Sequence, residues 1–429
     1  MSTVDERYYQ LHPKSVEMSK EAENLFPDGV THDGRKSQPF RIYMDRGLGP
    51  RKWDIDGNVY IDYRTGHGSM ILGQANPRVI GAVQEQISRG THLSASTESE
   101  VQWGKMVQEL VPCAEKLRFV ASGTEAMMLA CRMARTHSGK TKVVKFDQAF
   151  HGWADGPFVG AEHDHAGNGI PPQVRETMVV MPYDLDAVER TLDTDPDIAA
   201  VMFQGNQVKR PEFIRGLREI TETKGVILMF DEVVSGFRWS RGGCQGLYGV
   251  TPDLSGMAKI LAGGFPGGGV TGRADIIDTI APDKIAHPGT FNANPVSAVA
   301  GVAALEIVAN EPITETADAR ANQLKDGLND LLTRLAIPGC AYGVSSIVHM
   351  RLGLRHDCDK VYCEAGEQAM MTMTDDNMVD LLRRALVNEG VWGGPTSFIL
   401  SATHTEQDIE TTLESYENAL RSVRAEGAI

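Results

Sequence analysis

The chain has 429 residues, 41% of them hydrophobic, with 44 glycines and a formal net charge of −15. That is enough for one large domain plus a smaller one, and the apolar share points to a folded, loop-rich protein and away from a disordered one. The acidic balance argues against nucleic acid or an anionic membrane as partner, so an anionic ligand would need local glycine-rich sites.

Six cysteines (Cys113, Cys131, Cys244, Cys340, Cys358, Cys363) show no zinc-like CxxC spacing and no dense framework. They read as reduced thiols of a cytoplasmic protein. The N-terminus lacks an apolar signal core and no run approaches membrane-spanning length, which again points to the cytosol.

Residues from about 14 to 25 read as a helix closed by Pro27-Asp28-Gly29. The polar loop Val30–Arg41 follows, with Arg35 and Arg41 either solvated or forming a fork for a carboxylate. Lys52–Tyr63 is strand, turn, strand around Asp56-Gly57, and His67 comes next in Gly66-His67-Gly68-Ser69. A lone histidine there is either satisfied at the surface or part of a pocket.

The large domain is expected to begin near Pro77, with a helix over Val79–Ser88. Lys116–Val120 reads as a strand, followed by Ala121-Ser122-Gly123-Thr124-Glu125-Ala126 and an apolar helix from Met127 to Arg135. A strand, a small-residue turn and a helix N-terminus can hold a phosphate, with Ser122 capping and Thr124 adding a hydroxyl; a plain N-cap would look the same. The strand Lys142–Phe146 leads to Phe150-His151-Gly152, and Ile198–Phe203 to Gln204-Gly205-Asn206-Gln207. Two histidines in Glu162–His165 read as a solvated loop and not as a metal cluster.

The most informative stretch runs from Gly225 to Gly264. The apolar run Val226–Phe230 ends in Asp231, as a buried parallel strand delivers an acid to its carboxyl end. Lys259 follows 259 − 231 = 28 residues later, among Met257, Ala258, Ile260 and Leu261. Apolar neighbours ease loss of its proton and make it a nucleophile toward aldehydes. An upstream aspartate and a Schiff-base lysine suit pyridoxal 5'-phosphate (PLP), whose pyridine nitrogen a carboxylate keeps protonated.

The run Gly263–Gly272 contains a formal G-x-G-x-x-G, but the preceding segment reads as a loop and no acid follows at the spacing a dinucleotide site needs. Its glycines are read as allowing close backbone passage. His287–Pro295 opens a helix over Val296–Ala309. From about residue 313 a smaller α/β pattern follows: helix Glu315–Arg334, strand Ser345–Leu352, a Met370–Met373 packing stretch, helix Asn377–Glu389, strand Ser397–Ser401, and a last helix after Thr405-Glu-Gln-Asp408, which approximates a capping box.

Asp231-Glu232-Val233, Ala258-Lys259, Gly289-Thr290-Phe291 and Ser122-Gly123-Thr124-Glu125-Ala126 resemble the signature of class III, fold-type I PLP aminotransferases. The likeness is to the glutamate-1-semialdehyde aminomutase-like group, from about Phe26 to the last helix. It implies an α/β fold with a mainly parallel central sheet, helices on both faces, and a smaller α/β domain built from both chain ends. The implied boundaries are 1–76, 77–312 and 313–429.

The same resemblance implies that Lys259 carries PLP and that Asp231 faces its pyridinium. Ser122, Gly123 and Thr124 would take the phosphate, and His151 and Val233 would join the cofactor site. Phe150 stands where a stacking tyrosine is usual, and Gln204 would lie nearest the phenolic oxygen. Thr290 would reach the phosphate of the other subunit, making a homodimer with shared sites. Arg35 would bind a substrate carboxylate with Arg41 in reserve, and His67 stands where a tryptophan is common. No metal is implied.

The chain departs from the group in three places. Gln204 and a trimmed loop replace Glu-Pro and a longer one, residues 395–401 lack an acid, and His67 replaces the aromatic residue. The expected reaction is therefore amino transfer from an amino acid, β-amino acids included, or an amine to a keto acid. A glutamate-1-semialdehyde-type 2,1-aminomutase is the alternative, and racemases and decarboxylases share the class.

Overall fold

The computed structural model describes residues 2–161, 167–353, 358–363 and 375–429. The Glu162–His165 loop and the Met370–Met373 stretch lie outside the described residues. The chain divides into two units, Gly68–Met70 with Pro77–Thr314, and Met1–His67 with Ile71–Asn76 and Glu315–Ile429.

In the first unit a seven-stranded sheet runs in the order Lys116–Val120, Gly268–Gly272, Leu254–Ala258, Ile227–Asp231, Ile198–Gln204, Lys142–Phe146, Met178–Met181. Gly268–Gly272 is antiparallel to both of its neighbours, and the remaining pairings are parallel. The central strands are buried along their length up to the half-buried Gln204 at the end of one, which explains apolar runs without alternation.

Successive side chains serve opposite faces of this sheet. Met202 and Met229 join the core beneath helix Gly123–Ser138, while Phe203 and Phe230 join a ring cluster with Phe213 of helix Pro211–Thr223. Helix Pro295–Asn310 is apolar on most sides because it packs against both Pro77–Arg89 and Glu98–Leu110.

The segment ahead of the glycine run, expected as a loop, is the buried strand Leu254–Ala258 followed by the 3-10 turn Lys259–Ala262. The glycines themselves form a strand that lies against the Ser122 turn. A Cβ on Gly268 would sit 2.5 Å from the Ser122 carbonyl oxygen, so no larger residue fits there.

In the second unit, Met44–Leu48, Arg51–Asp54 and Val59–Asp62 form an antiparallel sheet, and Val391–Trp392 adds a parallel strand beside Val59–Asp62. Gly339–Tyr342, Ile347–Leu352 and Ser397–Ile399 make a second antiparallel sheet. Helices Ile313–Arg334, Asp376–Asn388 and Glu406–Ala425 contribute to a core around Tyr63, Leu324, Leu328, Leu382, Phe398 and Tyr416. The capping box is present: Thr405 Oγ1 accepts from Asp408 N at 3.1 Å, and Thr405 N donates to Asp408 Oδ2 at 2.9 Å.

Helix Pro13–Glu23 stands where the sequence suggested one, and a further helix, Thr3–Leu11, precedes it. Val4 and Tyr8 are the only buried side chains of Thr3–Leu11, too short an apolar stripe to read in advance. Among the described residues no single helix is long and apolar enough to cross a membrane.

Candidate active site

Asp231 ends a central strand, next to Gln204 on the neighbouring one. Its carboxylate is held from two sides: Oδ2 lies 2.8 Å from His151 Nδ1, and Oδ1 accepts from Val233 N at 3.0 Å. Burial holds the His151 imidazole below its ordinary pKa, so the neutral ring donates from Nδ1. Its buried Nε2 has no hydrogen-bond partner among the described residues. Glu232, the next residue, turns away and accepts from Cys244 N and Gln245 N at 2.8 and 3.0 Å. It fastens the loop after the strand, and the reacting groups lie elsewhere.

Lys259 follows strand Leu254–Ala258 directly and adopts φ +57°, left-handed backbone that costs a non-glycine residue energy. Burial pushes its ammonium down to about 8, offset in part by Asp231 and aided by the fully buried Arg238. Trp103 Nε1 donates to Leu261 O at 2.8 Å and fixes the turn from beneath. No hydrogen bond of the Lys259 amine is made among the described residues.

A second buried lysine offers the contrast. Lys145 is also pushed down to about 8 by burial, yet its Nζ donates to Ala149 O and Pro157 O, both at 2.8 Å. Those bonds hold the loop that carries Phe150 and His151. Lys145, Trp103 and Arg238 were missed in the sequence, where nothing separates them from ordinary core or surface residues.

Ser122 caps helix Gly123–Ser138, its Oγ accepting from Glu125 N at 3.2 Å, while Glu125 Oε2 accepts from Ala121 N at 2.6 Å. The first N–H groups of that helix have no intrahelical acceptor and suit an anion. A Cβ on Gly123 would come 2.9 Å from Val233 Cγ2, and one on Gly152 would come 2.7 Å from Thr124 Cα. Both glycines are therefore required by the packing of the Ser122–Thr124 turn against its neighbours.

Phe150 is exposed, and its N donates to Gln204 Oε1 at 3.1 Å. Gln204 Nε2 in turn donates to Asn206 Oδ1 at 3.0 Å, so the trimmed loop is closed by its own amides. Thr290 is exposed, and its carbonyl accepts from His92 Nε2 at 2.7 Å.

In the other unit, Arg35, Arg41 and His67 line one cavity of about 650 Å³. Arg35 is exposed in the 3-10 turn Asp33–Arg35, with Nη1 donating to Thr31 Oγ1 at 2.9 Å. His67 stacks on His32 with ring centroids 4.9 Å apart. Arg41 is committed elsewhere: it donates to Glu23 Oε1 at 2.8 Å, to Ser19 Oγ at 3.1 Å and to the Asp28 carbonyl. Its fork closes the Pro27–Gly29 turn, so Arg35 is the exposed arginine of the two.

The same cavity holds Arg64 and Arg383, which the sequence did not single out. Arg64 is half-buried, and burial together with the Arg383 charge lowers its pKa. Arg383 Nη1 already donates to Asp380 Oδ1 at 2.6 Å, so Arg64 is the guanidinium beside the cavity that an anion would pair.

A buried, doubly fixed carboxylate, an uncommitted amine and a helix N-terminus with no Cβ at Gly123 fit PLP. They define an enzyme of the fold-type I PLP class. The chain belongs to the class-III aminotransferases, whose family model matches residues 33–339. It is 37% identical to the glutamate-1-semialdehyde 2,1-aminomutase of Methanopyrus kandleri over 96% of this chain and 98% of that protein. Among solved structures it is similar to an omega-transaminase from Sphaerobacter thermophilus, with a TM-score of 0.87, 30% identity, and 96% and 98% of the two chains covered. A variant of the glutamate-1-semialdehyde aminomutase of Pseudomonas aeruginosa in complex with PMP gives 0.86 and 25%, covering 97% and 96%.

The cofactor is PLP. It would be held by Lys259, Asp231, Ser122, Gly123 and Thr124, and when bound it supplies an electron sink for the carbon bearing the amine.

Proposed function

We propose that this enzyme moves an amino group within a small carboxylate-bearing molecule, in a reaction of the 2,1-aminomutase type. The observation that carries the amino-group chemistry is the contrast between Lys259 and Lys145: both amines are near 8, but only that of Lys259 is uncommitted. Lys259 takes a proton from the substrate carbon and returns it one position away, as an amine of that pKa can near neutral pH. Asp231, oriented by His151 and Val233, stabilises the protonated pyridine. Phe150 offers a ring face, and Arg35 with Arg64 provides cations for the carboxylate.

The curated relatives support an aminomutase over the intermolecular transfer that the sequence departures put first. Intermolecular transfer stays as the second reading because residues 395–401 carry no acid and the Sphaerobacter omega-transaminase is 30% identical. The proposed enzyme is a cytoplasmic homodimer in which the exposed Thr290 reaches the phosphate of the other subunit.

The test is to give the cofactor-loaded enzyme glutamate-1-semialdehyde without any keto acid and follow the isomer with its amino group moved from C2 to C1. Turnover without an acceptor supports the mutase. Turnover only when pyruvate or 2-oxoglutarate accompanies an amine donor overturns it in favour of the second reading.

A further inference from the structure

Cys340, Cys358 and Cys363 show no metal-site spacing in sequence, but the fold gathers them. Their Sγ atoms all lie within 4.8 Å of one another, with Cys340 and Cys363 at 4.0 Å. Cys340 sits on strand Gly339–Tyr342, backed by Ile347–Leu352. Cys358 and Cys363 face each other as an antiparallel bridge across a four-residue turn. Asp359 Oδ1 accepts from Val361 N at 2.9 Å and from Tyr362 N at 2.5 Å, which fixes that turn. Lys360 Nζ pairs with Asp326 Oδ1 at 2.7 Å and ties the turn to helix Ile313–Arg334.

We propose that these three thiols form a zinc site, with water as the fourth ligand. A zinc–sulfur bond of about 2.3 Å puts tetrahedral thiolates about 3.8 Å apart, close to the 4.0 Å between Cys340 and Cys363. A disulfide needs about 2.05 Å and would leave one of the three thiols over. Soft sulfur donors select zinc over magnesium or calcium. Each thiol gives up its proton as its sulfur binds the ion, so loading releases three protons to solvent. The ion would clasp the turn to the strand, separately from the PLP chemistry.

The PLP-loaded, full-length protein is purified without chelator, equilibrated with zinc, desalted and analysed for metal. About one zinc per chain is expected. Cys340→Ser, Cys358→Ser and Cys363→Ser should each lose most of it, while Cys131→Ser keeps it. Cobalt(II) in place of zinc should give a thiolate-to-metal charge-transfer band, which decides the matter in the unaltered protein if a serine variant fails to fold. Zinc retained by all three serine variants, or no zinc in the unaltered protein, overturns the site. Thiol titration after chelation and denaturation should find all six cysteines; 6 − 2 = 4 would mean a disulfide instead and would also overturn it.

Discussion

His151 Nδ1 lies 2.8 Å from Asp231 Oδ2, and both side chains are buried. A neutral imidazole donating to the Asp231 carboxylate orients it for the pyridinium it would face in the proposed site. A hydrogen bond to a charged group contributes about 1.5–3 kcal/mol, so His151→Ala should lower kcat about ten- to a hundredfold. Asp231→Asn should keep PLP bound and lose more activity than His151→Ala. Steady-state kinetics beside the absorbance of the bound cofactor would check both, and an unimpaired His151→Ala enzyme would contradict the role.

Lys259 gives a pH dependence. Its pKa is lowered to about 8, so the amine is protonated below that pH and free above it. The rate at which the cofactor-free enzyme takes up PLP should rise about tenfold per pH unit below 8 and level off above it. Borohydride should fix PLP to the native enzyme and not to Lys259→Ala. Lys145→Met leaves two buried carbonyls unpaired and should instead cost about 2–4 kcal/mol of stability, read by denaturant unfolding.

Arg35 and Arg64 bear on substrate choice. Loss of either charge should reduce kcat/KM for carboxylate-bearing substrates by roughly one to two orders of magnitude. Simple amines should be affected far less. Arg41→Ala should act mainly on stability, since that guanidinium is engaged by Glu23, Ser19 and the Asp28 carbonyl. Equal losses on amines and amino acids with Arg35→Ala and Arg64→Ala would mark both arginines as structural.

Thr290 is exposed on a loop whose neighbour Phe291 is 61% exposed. If it completes a phosphate site across a homodimer, Thr290→Ala should release PLP more readily without unfolding the chain. Dialysis against cofactor-free buffer measures this, and activity that persists in a dilute monomer would count against a shared site.

Gly152 has φ +88°, and a Cβ there would meet Thr124 Cα at 2.7 Å. Gly152→Ala should therefore weaken PLP retention and destabilise by about 1–3 kcal/mol. Calorimetry with and without PLP separates the two effects.

The sequence by itself determined the central strands, the serine-capped turn at Ser122 and the placing of Asp231 at the end of a buried strand. Each is a local pattern: a continuous apolar run is what a strand buried on both faces requires, and a serine at a helix start caps whatever the remaining fold does. Only the tertiary structure decided which of two lysines at about 8 is available, because that depends on the Ala149 and Pro157 carbonyls brought to Lys145. It also decided that Arg41 is committed to the Pro27–Gly29 turn, that Arg64 meets Arg383 some 300 residues away, and that Cys340 joins Cys358 and Cys363. Such pairings are set by strand order and helix packing between distant segments, and no spacing along the chain encodes them.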